Sequence, residues 1–256
     1  MRYPRLLAIG LLLMAFCSLG AQNTFRVKPQ FVTRGEGYGY NFFTGPDASG
    51  MTTSILGFGS GLIDALAGRS SFDLVSIGTD RVNISTGLGF VINKYRFADN
   101  LMISLSDEGV VSFTPDPDPT HDYVNTFFGY GKAKLVTAAL TIPLYLNVSL
   151  GEDFLISAGG FVDWQFFTKY KLKYIKEDQK VKELLKSKDM EEYPFNRFKL
   201  GVHAGIYNKD WEYGICATYG ITPMFVDGKG PAIRDCHISF LYAIRDESDR
   251  LKNLTK

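Results

Sequence analysis

From Phe154 to Tyr174 the chain alternates. Even positions carry Phe154, Ile156, Ala158, Gly160, Val162, Trp164, Phe166, Thr168, Tyr170, Leu172 and Tyr174. Odd positions from 157 onward carry Ser157, Asp163, Gln165, Lys169, Lys171 and Lys173, with Leu155, Phe161 and Phe167 as exceptions. A period of two predicts one extended strand with a greasy face and a wet face. Ordinary globular strands run to about 5–6 residues, whereas a strand crossing a bilayer needs about 9–11. This run is long enough to cross and then project into solvent.

The same period recurs along the chain. It is strictest in Lys132–Leu150, where Val136, Ala138, Leu140, Ile142, Leu144, Leu146, Val148 and Leu150 oppose Thr137, Thr141, Pro143, Tyr145, Asn147 and Ser149. Further strands are expected over Met51–Asp64 (with a short helix as the alternative), Phe72–Thr79, Val82–Ile92, Phe198–Ile206, Trp211–Ile221 and Ile238–Ile244. Leu101–Ser106 and Val110–Phe113 flank Asp107-Glu108-Gly109 and read as a hairpin. The prolines at 115, 117 and 119 exclude a ladder interior and mark a loop. Residues 22–50, with scattered glycines, read as a loosely structured lead-in. The charged stretch 176–194 reads as a loop in which Val181, Leu184 and Leu185 allow a short helix.

Loop lengths sort by end. The turns near 79–81, 151–153 and 208–210 are short, while 98–131 and 176–194 are long. Outer-membrane barrels combine short periplasmic turns with longer external loops. Aromatic residues fall where such a barrel would need them. Trp211 and Tyr213 follow a short turn and are expected at the periplasmic interface; Trp164 and Phe166, further up their strand, are expected at the outer one. Together the four form a candidate aromatic girdle.

The N-terminus supports export. Met1-Arg2-Tyr3-Pro4-Arg5 precedes an apolar run, Leu6–Phe16, and a small-residue joint at Ser18-Leu19-Gly20. This predicts a signal peptide over 1–21, cleaved beside Gly20 and Ala21. No other segment is apolar for long enough to be a helical span, and the mean hydropathy of -0.03 fits alternating strands. The whole chain carries 28 basic and 27 acidic residues, and a mature chain without Arg2 and Arg5 stays near neutral. No nucleic-acid partner is implied. Cys216 and Cys236 fall on opposite faces of their strands and are expected as free, buried thiols. The few histidines and cysteines make no metal-ligand spacing, and no cofactor is expected.

Candidate chemistry lies on the wet parity: Asp163 and Gln165 on the fifth strand, Arg197, Lys199 and His203 on the sixth, Glu212 and Thr218 on the seventh. A small barrel is filled by side chains, and buried charges there must be paired. The expectation is a structural polar network. Its rivals are a hydrolase using His203 as base with a nearby hydroxyl, and a narrow solute path. Asp116, Asp118 and Asp122 resemble a calcium loop only loosely, lacking its glycine and terminal glutamate, and read as a solvated acidic loop.

Lys94-Tyr95-Arg96-Phe97, Leu140-Thr141-Ile142-Pro143-Leu144, Tyr219-Gly220-Ile221-Thr222-Pro223-Met224-Phe225 and Gly228-Lys229-Gly230-Pro231 resemble the outer-membrane β-barrel domain family of porin-like, PorT-type proteins. The resemblance covers roughly residues 30–245. It implies an outer-membrane barrel, generally without enzymatic activity; one branch of the family serves a protein-secretion system.

The expected architecture is therefore all-β: a transmembrane, antiparallel, up-and-down barrel of about eight strands over 51–245, preceded by the 22–50 lead-in and followed by a polar tail, 246–256. The expected location is the cell outer membrane. Expected partners are outer-membrane lipid, the barrel-assembly machinery, and possible protein partners at external loops 98–131 and 176–194. The role is structural or interactive rather than enzymatic. The rivals are a soluble exported barrel holding an apolar ligand, which would need apolar lumen positions, and a lipid-modifying barrel enzyme.

Overall fold

Every regular element of the computed structural model, which describes residues 26–48, 68–79, 81–97, 101–123, 132–209 and 213–244, is a β-strand. In chain order these are β1 (Arg26–Thr44), β2 (Gly68–Gly78), β3 (Val82–Phe97), β4 (Leu101–Leu105), β5 (Val111–Pro115), β6 (Lys132–Leu150), β7 (Phe154–Lys176), β8 (Gln179–Leu185), β9 (Phe198–Asn208), β10 (Tyr213–Gly220) and β11 (Arg234–Ile244). The sheet runs β6-β3-β2-β1-β11-β10-β9-β7, and β7 pairs again with β6. All of these pairings are antiparallel. Each of the eight strands thus has a partner on both sides, and the first meets the last through Thr33↔Ile244 to Thr44↔Arg234. Such a ring leaves no unpaired edge among those eight. β8 only lengthens the end of the barrel away from the short turns as a hairpin with β7, and β4–β5 forms a separate hairpin over the turn at 106–110.

Three expectations are corrected, two of them about elements. Residues 26–44 are not a lead-in but a full strand that joins both ends of the sheet. Register shifts between Pro29 and Val32 and between Glu36 and Gly39 interrupt its period of two, which is why alternation did not reveal it. The expected strand at Met51–Asp64 lies outside the described residues. Where the sequence of the charged loop 176–194 allows a short helix, the structure has β8, whose Val181 and Leu185 pack toward an apolar cluster.

The third correction concerns faces. β7 does not keep one parity. Ala138 pairs with Phe167 but Ala139 pairs with Gln165, so Phe166 is an inserted residue, a β-bulge. Below it the even residues face outward and Ser157, Phe161, Asp163 and Gln165 are buried. Above it the faces exchange: Thr168, Tyr170, Leu172 and Tyr174 turn inward and are buried, while Lys169, Lys171 and Lys173 lie on the outer side.

The bulge divides the molecule into two storeys. In the lower one the outer surface is apolar. Ile84, Leu88, Phe90, Ile142, Leu144, Val162, Trp164, Leu200, Val202, Ile215, Ile238 and Phe240 are all exposed, Leu144 at 58% and Phe240 at 63%. Soluble monomers rarely expose contiguous apolar surface beyond a few hundred Å2. In the upper storey the packing is that of a soluble protein. Tyr95, Phe97, Leu135, Tyr170, Leu172 and Tyr174 from the strand tops join Leu101, Ile103 and Val111 of the β4–β5 hairpin and Met190, Phe195, Met224, Phe225 and Ile233 of the long connections in one buried cluster.

Candidate functional site in the barrel interior

The interior of the lower storey is largely polar, apart from a small apolar cluster of Tyr207, Cys216 and Leu155 near the short-turn end. Near the short turns, Asn147 Nδ2 donates to Asn83 Oδ1 and to Ser85 Oγ, each at 2.9 Å. Above them Tyr145 and His203 face one another with ring centroids 4.6 Å apart. At mid-height Arg69 Nη1 and Nη2 donate to Asp163 Oδ1 and Oδ2, both at 2.8 Å. Nη1 also donates to Thr141 Oγ1. The guanidinium carbon lies 3.6 Å from the centroid of the Phe161 ring. Arg69, Thr141 and Asp163 are all buried. A bidentate arginine–carboxylate pair resting on an aromatic face is the arrangement that makes a buried guanidinium tolerable. Gly201 makes room for that platform, since a Cβ there would fall within the Phe161 ring. Lys199 is the cross-strand partner of Asp163 on β9 and is buried beside it.

The expected polar network is therefore partly assembled. Asp163, Gln165, Lys199, His203 and Thr218 are all inward and buried. Gln165 Nε2 donates to Thr168 Oγ1 at 2.8 Å. Arg197 is corrected: it precedes β9 and is exposed; its carbonyl accepts a hydrogen bond from Gln165 N at 2.7 Å, and it lines a small pocket of about 50 Å3 with Gln165, Thr168 and Tyr193. Glu212 and Trp211 lie outside the described residues. Sequence reasoning missed Arg69, Asp73 and the role of Phe161. Arg69, Ser71 and Asp73 are a polar period-two series, all buried, but the strand was expected to begin only at Phe72. The rival hydrolase is not favoured by this geometry, because His203 is 4% exposed behind Tyr145.

On the outside, Trp164, Phe166 and Tyr213 of the expected girdle are exposed, at 46%, 44% and 66%. The outer ring is wider than expected. Phe90 lies 5.7 Å from Phe166 by ring centroids, and Phe198, 68% exposed, is the cross-strand partner of Trp164. Cys216 and Cys236 form no disulfide, as expected, but only Cys216 is buried, its Sγ against Ser239; Cys236 is partly exposed.

The long connections form a cap. Val111 N donates to Lys229 O at 2.9 Å and Lys229 Nζ to Glu108 O at 3.0 Å, holding the β4–β5 hairpin against the last long connection. Asn196 Nδ2 donates to both Pro223 O and Phe225 O. Residues 116–123 make a second tie. His121 Nδ1 is 2.7 Å from Asp116 Oδ2, its Nε2 3.0 Å from Asp118 Oδ2, and its ring stacks on Tyr174 at 3.7 Å. Lys176 Nζ donates to Asp118 Oδ2 at 3.1 Å. The three acids thus serve the loop's own side chains and backbone: Asp122 pairs its main chain with Ile175.

Hydrogen bonds from Thr120 and then Lys176 hold the Asp118 carboxyl well below its usual range. Burial pushes Asp116 upward, but hydrogen bonds from Tyr123 and His121 outweigh it and leave this carboxyl lowered too. A depressed carboxylate contributes stability that is present above the ordinary carboxylate range and is lost as pH falls through the folded value. Residues 116–123 are therefore expected to stay docked from neutral pH down to about pH 4 and to detach below it. Amide exchange at 116–123, followed from pH 7 to pH 2, checks this; exchange unchanged across that range would contradict it.

Comparisons with known proteins add little. No family model matches the chain, and no curated protein matches it. The porin-like, PorT-type reading thus rests on the motifs alone. Solved structures similar to the chain include the attachment invasion locus protein Ail of Yersinia pestis, in complex with the heparin analogue sucrose octasulfate. The identity is 9%, the match covers 85% of this chain and 100% of that one, and the TM-score is 0.31. At that level it says nothing of what this chain does.

Proposed function

We propose that the chain is an integral outer-membrane β-barrel, without enzymatic activity, that acts through its external cap. The observation that carries this reading is the inversion of the lower storey: apolar side chains outside on seven strands, and Arg69, Thr141, Asp163, Lys199 and His203 buried within. Water rewards the opposite arrangement. The apolar face of β7 runs from Phe154 to Phe166, which at about 3.3 Å per residue and a tilt near 45° spans roughly 28 Å. A barrel wall needs an apolar band of about 25 Å between aromatic girdles. The short turns at 79–81 and 151–153 end one side of the barrel, and the long capped connections end the other; the short-turn side would be periplasmic. The rival soluble barrel with an apolar ligand is disfavoured by a lumen occupied by the Arg69–Asp163 ion pair and by buried Lys199, His203, Asn147 and Gln165. The barrel-assembly machinery and a protein partner at 98–131 or 176–194 belong to the same proposal.

Cell fractionation with gel mobility before and after boiling tests it. The reading expects the protein in the outer-membrane fraction, with a mobility that shifts on heating. Release into the soluble periplasm, with no shift, would overturn it.

A further inference from the structure

We propose that a pocket cut through the barrel wall at the Phe166 bulge binds a phosphoethanolamine group. The inference rests on the membrane reading above and adds a ligand to it. The wall is interrupted at this point. β7 pairs with β9 as far as Trp164↔Phe198, and with β8 only from Tyr170↔Leu185. Between those limits a single main-chain bond among the described residues, Gln165 N to Arg197 O at 2.7 Å, joins β7 to the connection that leads into β9. The gap holds a pocket of about 50 Å3. Phe166, which faces outward, and Gln165 and Thr168, which face inward, all line it. A pocket lined from both faces of a sheet opens through that sheet. Pockets that enclose a whole drug-sized ligand measure roughly 300–1,000 Å3. This one takes a compact polar group and leaves the rest of the molecule outside.

The lining is polar and incompletely satisfied. Gln165 and Thr168 are only 5% and 7% exposed. Gln165 Nε2 donates to Thr168 Oγ1 at 2.8 Å. That bond leaves the Gln165 side-chain carbonyl and the Thr168 hydroxyl proton without a partner among the described residues. Buried polar groups are normally hydrogen-bonded, so two such groups in one pocket point to something that fills it. Arg197 and Glu191 are exposed and line the same pocket. Neither side chain makes a hydrogen bond or an ion pair among the described residues, with each other or with anything else. Opposite charges that line one space without meeting offer a ligand a positive site and a negative one.

A phosphate joined to a primary ammonium answers all four groups. The planar fork of Arg197 suits two phosphate oxygens, and the Thr168 hydroxyl donates to the same anion. Glu191 and the Gln165 carbonyl accept from the ammonium. A phosphate alone would leave those two acceptors unanswered. A quaternary ammonium carries no N–H to give them. Position favours a lipid as the carrier. Phe166 lines the pocket and Trp164 is exposed on the wall beside it. Aromatic girdles sit at headgroup level, so the pocket stands at the depth of lipid phosphates, with the apolar belt beneath it for the acyl chains.

The test uses the full mature chain refolded in a neutral detergent. Phosphatidylethanolamine, phosphatidylcholine or phosphatidylglycerol of one acyl composition is added, and retained lipid is counted by native mass spectrometry. Wild type is expected to retain phosphatidylethanolamine about tenfold better than the other two, which forfeit the charge-assisted hydrogen bonds of the ammonium. Glu191→Gln should erase that preference, and Arg197→Gln should lower retention of all three lipids about tenfold. Both positions are exposed, so neither change threatens folding. Lys188→Gln, at an exposed cation of the same connection outside the pocket, should change nothing; an equal loss there would overturn the proposal, because net charge alone would then explain retention. Soluble glycerophosphoethanolamine separates the two sources of the group. Displacement only at large excess supports the site with a lipid as its ligand, and displacement at equal concentration supports it with a free solute. No preference in wild type, or an undiminished one in both pocket variants, with heat-shifted mobility intact, would mean that the pocket holds water only. That result would overturn this proposal and leave the membrane reading standing. A wild-type chain with no heat-shifted mobility would defeat both readings together.

Discussion

Asp163→Ala is expected to abolish the heat-resistant folded form at temperatures where the wild type survives. The substitution takes from Arg69 the carboxylate that both its Nη atoms hold, at the position directly across from Lys199. Removing one partner of a buried ion pair costs about 3–5 kcal/mol, because the remaining charge loses the compensation that made its burial tolerable. That is a large part of the about 5–15 kcal/mol by which folded domains are stable. The double variant Asp163→Leu/Arg69→Met should recover most of the loss, since replacing both charges by apolar groups of similar volume is often neutral. Urea unfolding in detergent micelles measures both. An Asp163→Ala midpoint equal to wild type would mean that the pair is not the structural centre of the lumen. A double variant as poor as the single one would mean that its charges serve something beyond mutual satisfaction.

The second large effect belongs on the outside. Leu144 is 58% exposed and stands at mid-height of β6, opposite Gly160 on β7. In a water-soluble sheet an arginine there would change stability by no more than about 0.5 kcal/mol. Facing lipid near the bilayer midplane, it should cost about 2–4 kcal/mol. Lys134→Arg, on the same face of β6 but above the belt, should cost almost nothing. The contrast between two positions on one face of one strand separates lipid from water without reference to how the protein fractionates. It is read as the difference in unfolding free energy between the two variants in vesicles. A Leu144→Arg chain as stable as wild type would remove the main support for a membrane wall.

Much of this was legible in the chain. The alternation from 132 to 150 needs no correction: odd residues such as Thr141 and Asn147 are buried, and even ones such as Ile142 and Leu144 are exposed. The hairpin at 101–115 and the sorting of long and short connections also follow from local signals, namely turn residues and prolines. What failed shares one cause. Period-two reasoning assumes an unbroken pleat, and bulges break it. The inserted Phe166 reverses every side chain after it, so Tyr170, Leu172 and Tyr174, expected on the greasy outer face, became cap core, while the lysines kept the outside. The same kind of irregularity in β1 hid the strand that pairs the first with the last. Arg69 escaped notice for a further reason. Its partner, Asp163, is 94 residues away, and no local pattern encodes a pairing made only when the sheet rolls up.

Site-directed nitroxides give the most direct measure of what covers the apolar face. In a background of Cys216→Ser and Cys236→Ser, single labels are placed at Leu144, at mid-belt, and at Lys182, in the lysine row of β8. Collision with molecular oxygen, which concentrates in hydrocarbon, is compared with collision with a water-soluble nickel chelate, in lipid vesicles. The account predicts that the label at Leu144 meets oxygen freely and is shielded from nickel, while the label at Lys182 shows the reverse. A label at Leu144 as open to nickel as the one at Lys182, or shielded from both reagents, would place water or protein where this account places lipid.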